Sequence, residues 1–200
     1  KPDVTGIDGV TTTVSGFNPF FGTSAAAPHI AGIAALLKQA SPEMTPAQVK
    51  TALTSTATDI ETAGEDSRSG AGLVNAEAAL DWIRPDVTVD KASLTMTGYE
   101  GRFGATAQRL VLTNTVKERG GQMKWSVGAD VPWLHFNRKD GRANASDEVI
   151  VWADTNGVTA PGASGNLTFT LEHCVQDEIV VPVQLNLTPE GSSITVNATV

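Results

Sequence analysis

Cysteine is nearly absent from this 200-residue sequence: Cys174 stands alone. One thiol excludes any intrachain disulfide and constrains the compartment only weakly. With no basic neighbour, Cys174 reads as a small buried hydrophobe rather than a reactive thiol. Basic side chains are also in short supply, 14 Lys and Arg against 22 Asp and Glu, for a net charge of -8. That balance opposes binding to a phosphate backbone, so nucleic acid is excluded as a partner. Long apolar runs are missing too. The richest, residues 31–37, is seven residues long, against the roughly 18 needed to cross a bilayer, so no membrane span is expected. The sequence opens on Lys1, neither an initiator methionine nor a signal sequence; a fragment or processed product is expected, with targeting information upstream or removed.

What is present is ordinary globular composition, 40% hydrophobic with 19 Gly and 10 Pro, enough for one large or two small cores. Ile30, Ile33 and Leu37, with Ala and Gly between them, predict a closely packed, buried helix over 25–37, starting at or just after Ser24. Ser41-Pro42 ends it. Thr45-Pro46-Ala47-Gln48 combines an N-cap, a proline at the first helical position and a capping-box partner. A second helix should follow to about Ala57, with Val49, Ala52, Leu53 and Thr56 inward. Turn-rich residues 64–72 lead to a third helix over 75–83.

At Arg84-Pro85 helical periodicity stops and alternating Val, Thr, Leu and Trp segments begin. A domain boundary is placed there, between 1–84 and 85–188. Strands are predicted at 87–90, 93–97, 108–114, 122–127, 148–153, 166–172 and 178–187, as an all-β, Ig-like sandwich requires. Residues 189–200 read as a tail or one more edge strand.

The chemistry concentrates around Gly22-Thr23-Ser24-Ala25-Ala26-Ala27-Pro28-His29. A serine hydroxyl is a poor nucleophile at neutral pH and needs a base beside it and donors for the developing oxyanion. Gly22 permits a tight approach, and Ser24 at a helix N-terminus would offer its own N–H and the helix dipole to that oxyanion. A plain N-cap serine, contributing about 1 kcal/mol to a helix, is the blander reading. Thr23 divides evenly between support of the oxyanion site and a packed turn residue.

Gly-Thr-Ser-Ala-Ala-Ala-Pro-His-Ile-Ala-Gly, residues 22–32, resembles the nucleophile signature of the subtilisin-like proteases, the subtilases. Lys1-Pro2-Asp3-Val4-Thr5 is similar to the family's Lys-Pro-Asp stretch, and 45–57 and 70–76 to its closing helices. The resemblance covers about residues 1–83. It implies that 1–84 is the C-terminal helical part of an α/β subtilisin-like catalytic domain, with Ser24 the catalytic nucleophile of a serine endopeptidase. It also implies a protein or peptide substrate and a secreted or cell-surface, bacterial setting. Gly6-Ile7-Asp8-Gly9 replaces the family's Ala-Pro-Gly, which points to an altered loop near the substrate cleft.

The family's triad aspartate, triad histidine and oxyanion asparagine precede such a segment, so the N-terminal part of the same protease is the partner this resemblance requires. The chain alone is expected to be inactive. His29, five residues after Ser24, points away from it along the helix and corresponds to the signature's structural histidine. His135 and His173 read as surface or loop residues. Asp8, Asp59, Glu61 and Asp66 show no metal-ligand spacing, so no metal site or cofactor is assigned, although structural calcium is common in the family.

Residues 86–188 hold no nucleophile setting. Trp125, Trp133 and Trp152 read mainly as core, with carbohydrate, cell-surface or protease-core binding the alternative. Val131-Pro132-Trp133-Leu134 with Asp140-Gly141 resembles fibronectin type III-like or BACON-like accessory modules. A non-catalytic binding module, or a degenerate subtilase, is the other functional reading. Asn144, Asn166, Asn186 and Asn197 open formal glycosylation sequons.

Overall fold

A computed structural model describes residues 1–102 and 105–189. The expected tail or edge strand beyond 189 and the Asn197 sequon lie outside the described residues. The chain divides into two compact units, one of Lys1–Pro85 with Val116–Gln122, the other of Asp86–Thr115 with the residues from Met123 onward.

The first unit carries α1 (Thr23–Ala40), α2 (Pro46–Ser55) and α3 (Ala76–Trp82). α2 forms where its start signal lies: the Thr45 side chain accepts from the Gln48 N–H, and the Gln48 side chain accepts from the Thr45 N–H at 2.9 Å, completing the capping box. α3 starts on Asn75, whose side chain accepts from the Ala78 N–H. Leu37, Met44, Ala52, Leu53, Ala79 and Ile83 form the core they share. Residues 116–122 belong to this unit through contacts with residues far away in sequence. The Ser41 hydroxyl donates to the Gly120 carbonyl at 2.5 Å, and the Arg119 guanidinium lies 5.2 Å from the Trp82 ring centroid.

The expectation of a buried α1 needs correction. Only Ala25 and Leu37 are buried; Ile30 and Ile33 are half-buried, and Ala27, Ala31, Ala35 and Leu36 face solvent. The helices α2 and α3 cover one side of α1, and the described residues supply nothing for the side at spacing 27, 31, 35.

Gly70-Ala71-Gly72 ties the unit's loops together. The Ala71 N–H donates to Asp3, the Thr5 N–H to Gly72, and Thr58 and Leu73 exchange both backbone bonds. Gly72 has φ 115° and a Cβ there would lie 2.2 Å from the Thr58 carbonyl oxygen. Both the backbone angle and the space demand glycine. Gly72→Ala should therefore cost about 2–3 kcal/mol, read as a lowered urea midpoint.

The second unit is a two-sheet β-sandwich. One sheet has the order β1 (Val87–Val89), β3 (Gln108–Asn114), β7 (Ser146–Ala153), β5 (Leu134–Phe136), all antiparallel. The other runs β2 (Leu94–Tyr99), β9 (Glu178–Thr188), β8 (Gly162–Glu172), β4 (Met123–Ala129), β6 (Asp140–Ala143). There β2 and β9 are parallel and the remaining pairs antiparallel. Alternation sends Leu110, Leu112, Val149 and Val151 from the first sheet, and Trp125, Leu167, Phe169 and Leu185 from the second, into one core. Cys174 is buried there, as its sequence setting implied. β5 and β6 are additional to the strands predicted.

Trp125 and Trp133 are buried, whereas Trp152 is 37% exposed and stacks on His135 at 6.0 Å. His173 occupies the turn between β8 and β9 with φ 55°.

Candidate active site

The site begins with Gly22. Its φ of 97° is open to glycine and strained for other residues, and it lets the chain turn into α1 without a side-chain cap. Its carbonyl accepts from the Ala25 and Ala26 N–H groups at 2.9 and 3.1 Å. Thr23 and Ser24 are thus the first two helical residues, and both are exposed. Their N–H groups precede the first intrahelical bonds, as those of any opening helical turn do. The positive end of the helix dipole lies at the same place.

Two features hold this turn. The Asp8 carboxylate accepts from the Gly22 N–H at 2.8 Å, so the loop that departs from the family pattern reaches the residue two before Ser24. A Cβ on Gly6 would lie 2.9 Å from the Ala26 carbonyl oxygen, so only a bare backbone passes that close to α1. Asp8 drew attention in the sequence as an acidic loop residue and as part of the altered Gly6-Ile7-Asp8-Gly9 loop, but a carboxylate bonding a backbone N–H fourteen positions away leaves no local signature.

Pro28 lies inside α1 and has no N–H to give the Ser24 carbonyl. The His29 ring bonds the Ala25 carbonyl at 2.7 Å through Nδ1, so its donor serves its own helix one turn back.

The acidic loop residues are likewise engaged. Asp59 accepts from the Gly64 N–H at 2.7 Å and Glu61 faces Arg68 at 3.4 Å. Asp66 accepts from the Ser69 and Arg68 N–H groups at 2.8 and 2.7 Å. The Ser69 backbone donor first, then that of Arg68, holds the Asp66 carboxyl below the usual carboxylate range. A depressed folded-state value means stability present above the ordinary pKa near 4 and lost as pH falls through the lower one. Asp66→Asn should lower the melting temperature at neutral pH and flatten its fall on acidification, as followed by circular dichroism across pH.

Residues 5–72 match the model of the Subtilase family, peptidase S8. The chain is 48% identical over 73 residues to alkaline elastase YaB of Bacillus sp. (strain YaB), covering 36% of this chain and 18% of that protein. It is 40% identical over 108 residues to the subtilisin-like protease SBT2.6 of Arabidopsis thaliana, covering 44% and 12%. The chain thus spans less than a fifth of the length of these relatives. Among solved structures, PapD-like domain 7 of human CEP192 aligns with 54% of this chain and 88% of that chain at 11% identity, with a TM-score of 0.42. Residues 5–72, within the first unit, are thus similar to a segment of the subtilase family.

Proposed function

We propose that the protein containing this segment is a subtilisin-type serine endopeptidase, with Ser24 its nucleophile. The supporting observation is the exposed Ser24 at the second position of α1, beside a left-handed Gly22 anchored by Asp8, inside the matched family segment. On this reading the Ser24 Oγ attacks a peptide carbonyl and its backbone N–H donates to the resulting oxyanion. A histidine base, an orienting aspartate and a second oxyanion donor come from an N-terminal catalytic part.

In the same reading, residues 1–84 complete an α/β subtilisin-like domain, and the exposed 27, 31, 35 side of α1 packs on its sheet. Close backbone approach over those alanines is what such a contact requires. The sandwich is an accessory domain.

The 200-residue chain alone should hydrolyse no peptide, since triad catalysis without its base collapses. A fluorogenic peptide assay, with and without the N-terminal catalytic part, tests this. Turnover only in the longer protein is the expected result; turnover by the short chain, lost in Ser24→Ala, would contradict it.

A further inference from the structure

The outer face of the five-stranded sheet carries an open cavity of about 310 Å³, at the small end of the roughly 300–1,000 Å³ range of ligand pockets. Its walls are made by backbone exceptions. Pro182 stands inside β9 and cannot donate to a ladder; pairing of β9 with β2 begins only at the next residue, Val183 opposite Leu94. Across the cavity, a Cβ on Gly165 would fall 2.4 Å from Val131 Cγ2 and 3.1 Å from Asp130 Oδ1. The bare backbone of β8 therefore admits the turn that carries Asp130.

That carboxylate is fixed in place. Asn166 donates its N–H to Asp130 Oδ1 at 2.6 Å and its side-chain amide to Oδ2 at 2.8 Å. These bonds, the backbone one first, hold the carboxyl below its ordinary range, so it is charged at neutral pH. Beside it lie the hydroxyls of Ser93, Thr95 and Ser164 and the amide of Gln184. The Ser164 hydroxyl donates to Gln184 Oε1 at 2.7 Å, leaving its own oxygen to accept, while the Gln184 amide nitrogen is held by the Ala163 and Leu185 carbonyls and Asn186 Oδ1 at 3.2–3.4 Å.

This lining selects by chemistry. Asp130 is its one charged group and repels phosphates, sulfates and acidic sugars. Leu94 and Val183 are buried in the sandwich core, which leaves the Pro182 ring as the solvent-facing apolar surface. Three hydroxyls, an amide and a preset carboxylate match a ligand dense in neutral hydroxyl groups. We propose that this cavity binds a neutral saccharide of one or two sugar units, its hydroxyls donating to Asp130 and exchanging bonds with Ser164, Thr95 and Ser93. The proposal is independent of the protease reading.

Titration of the ¹⁵N-labelled chain with maltose, cellobiose and N,N′-diacetylchitobiose, and with glucose 6-phosphate as the anionic counterpart, tests it by NMR. Saturable shifts with at least one neutral disaccharide are expected, centred on Ser93, Asp130, Ser164 and Gln184. Ser93→Ala and Thr95→Ala, both at exposed positions, should each weaken binding roughly fivefold, the loss of one hydrogen bond, with the remaining spectrum unchanged. The proposal is overturned by no saturable shift with any of the three sugars, by shifts centred elsewhere, by tighter binding of the phosphate sugar, or by indifference to both substitutions.

Discussion

On the proposed reading, Ser24→Ala, made in the longer protein that contains this segment, should lower kcat by about six orders of magnitude while KM changes little. That size is the one attached to the nucleophile of the subtilisin triad itself rather than a value obtained from this chain. The substitution removes one oxygen and leaves the backbone of the first helical turn intact. Substrate contacts and the residue-24 N–H therefore persist. What disappears is the covalent route, and the remainder, roughly 10³–10⁴-fold over water, comes from the oxyanion donors and binding alone. Steady-state kinetics with a fluorogenic peptide measure it. A fall of only a few-fold would make Ser24 a helix-start serine and return the segment to a degenerate subtilase.

The second large effect falls in the sandwich. Trp125 is 1% exposed, meets Phe169 edge-on at 5.9 Å, and donates from Nε1 to the Asp147 carboxylate at 3.1 Å. Arg138 caps the arrangement, its guanidinium 5.0 Å from the Trp125 ring centroid and bonded to Asp147 at 2.7 Å. Because Trp125 is on β4 and Asp147 on β7, this cluster joins the two sheets. Trp125→Ala opens a cavity, ends the ring contact and deprives a mostly buried carboxylate of a donor. Together these should cost about 3–5 kcal/mol, measured as a shift in the denaturant midpoint of the near-ultraviolet signal. Trp125→Phe, which keeps much of the volume and loses the donor, should cost clearly less.

The pattern of successes and corrections in reading the sequence has a physical basis. Local devices were legible: the reciprocal Thr45 and Gln48 bonds form as the capping box predicts, and alternation located the long strands. Non-local pairing was not. The first residues of β8, Gly162-Ala163-Ser164-Gly165, have little strand propensity and are extended because β9 pairs with them. β5 and β6 have three and four residues, too few to show a period. The parallel pairing of β2 with β9 joins residues about ninety positions apart. For α1 the pattern of Ile30, Ile33 and Leu37 predicted a helix packed on most faces, whereas only the Leu37 side is covered within the described residues. Around Ser24, the motif conveyed the helix start and the glycine; the Asp8 anchor had to be seen in space.

The most direct test of the central claim is covalent. A fluorophosphonate probe should be reacted with the longer protein that the proposal requires, this chain joined to an N-terminal catalytic part, and the adduct located by peptide mass spectrometry. The account predicts one adduct, on Ser24, in the peptide that opens α1, and none after Ser24→Ala. Equal labelling of the variant, or an adduct on another serine, would contradict it.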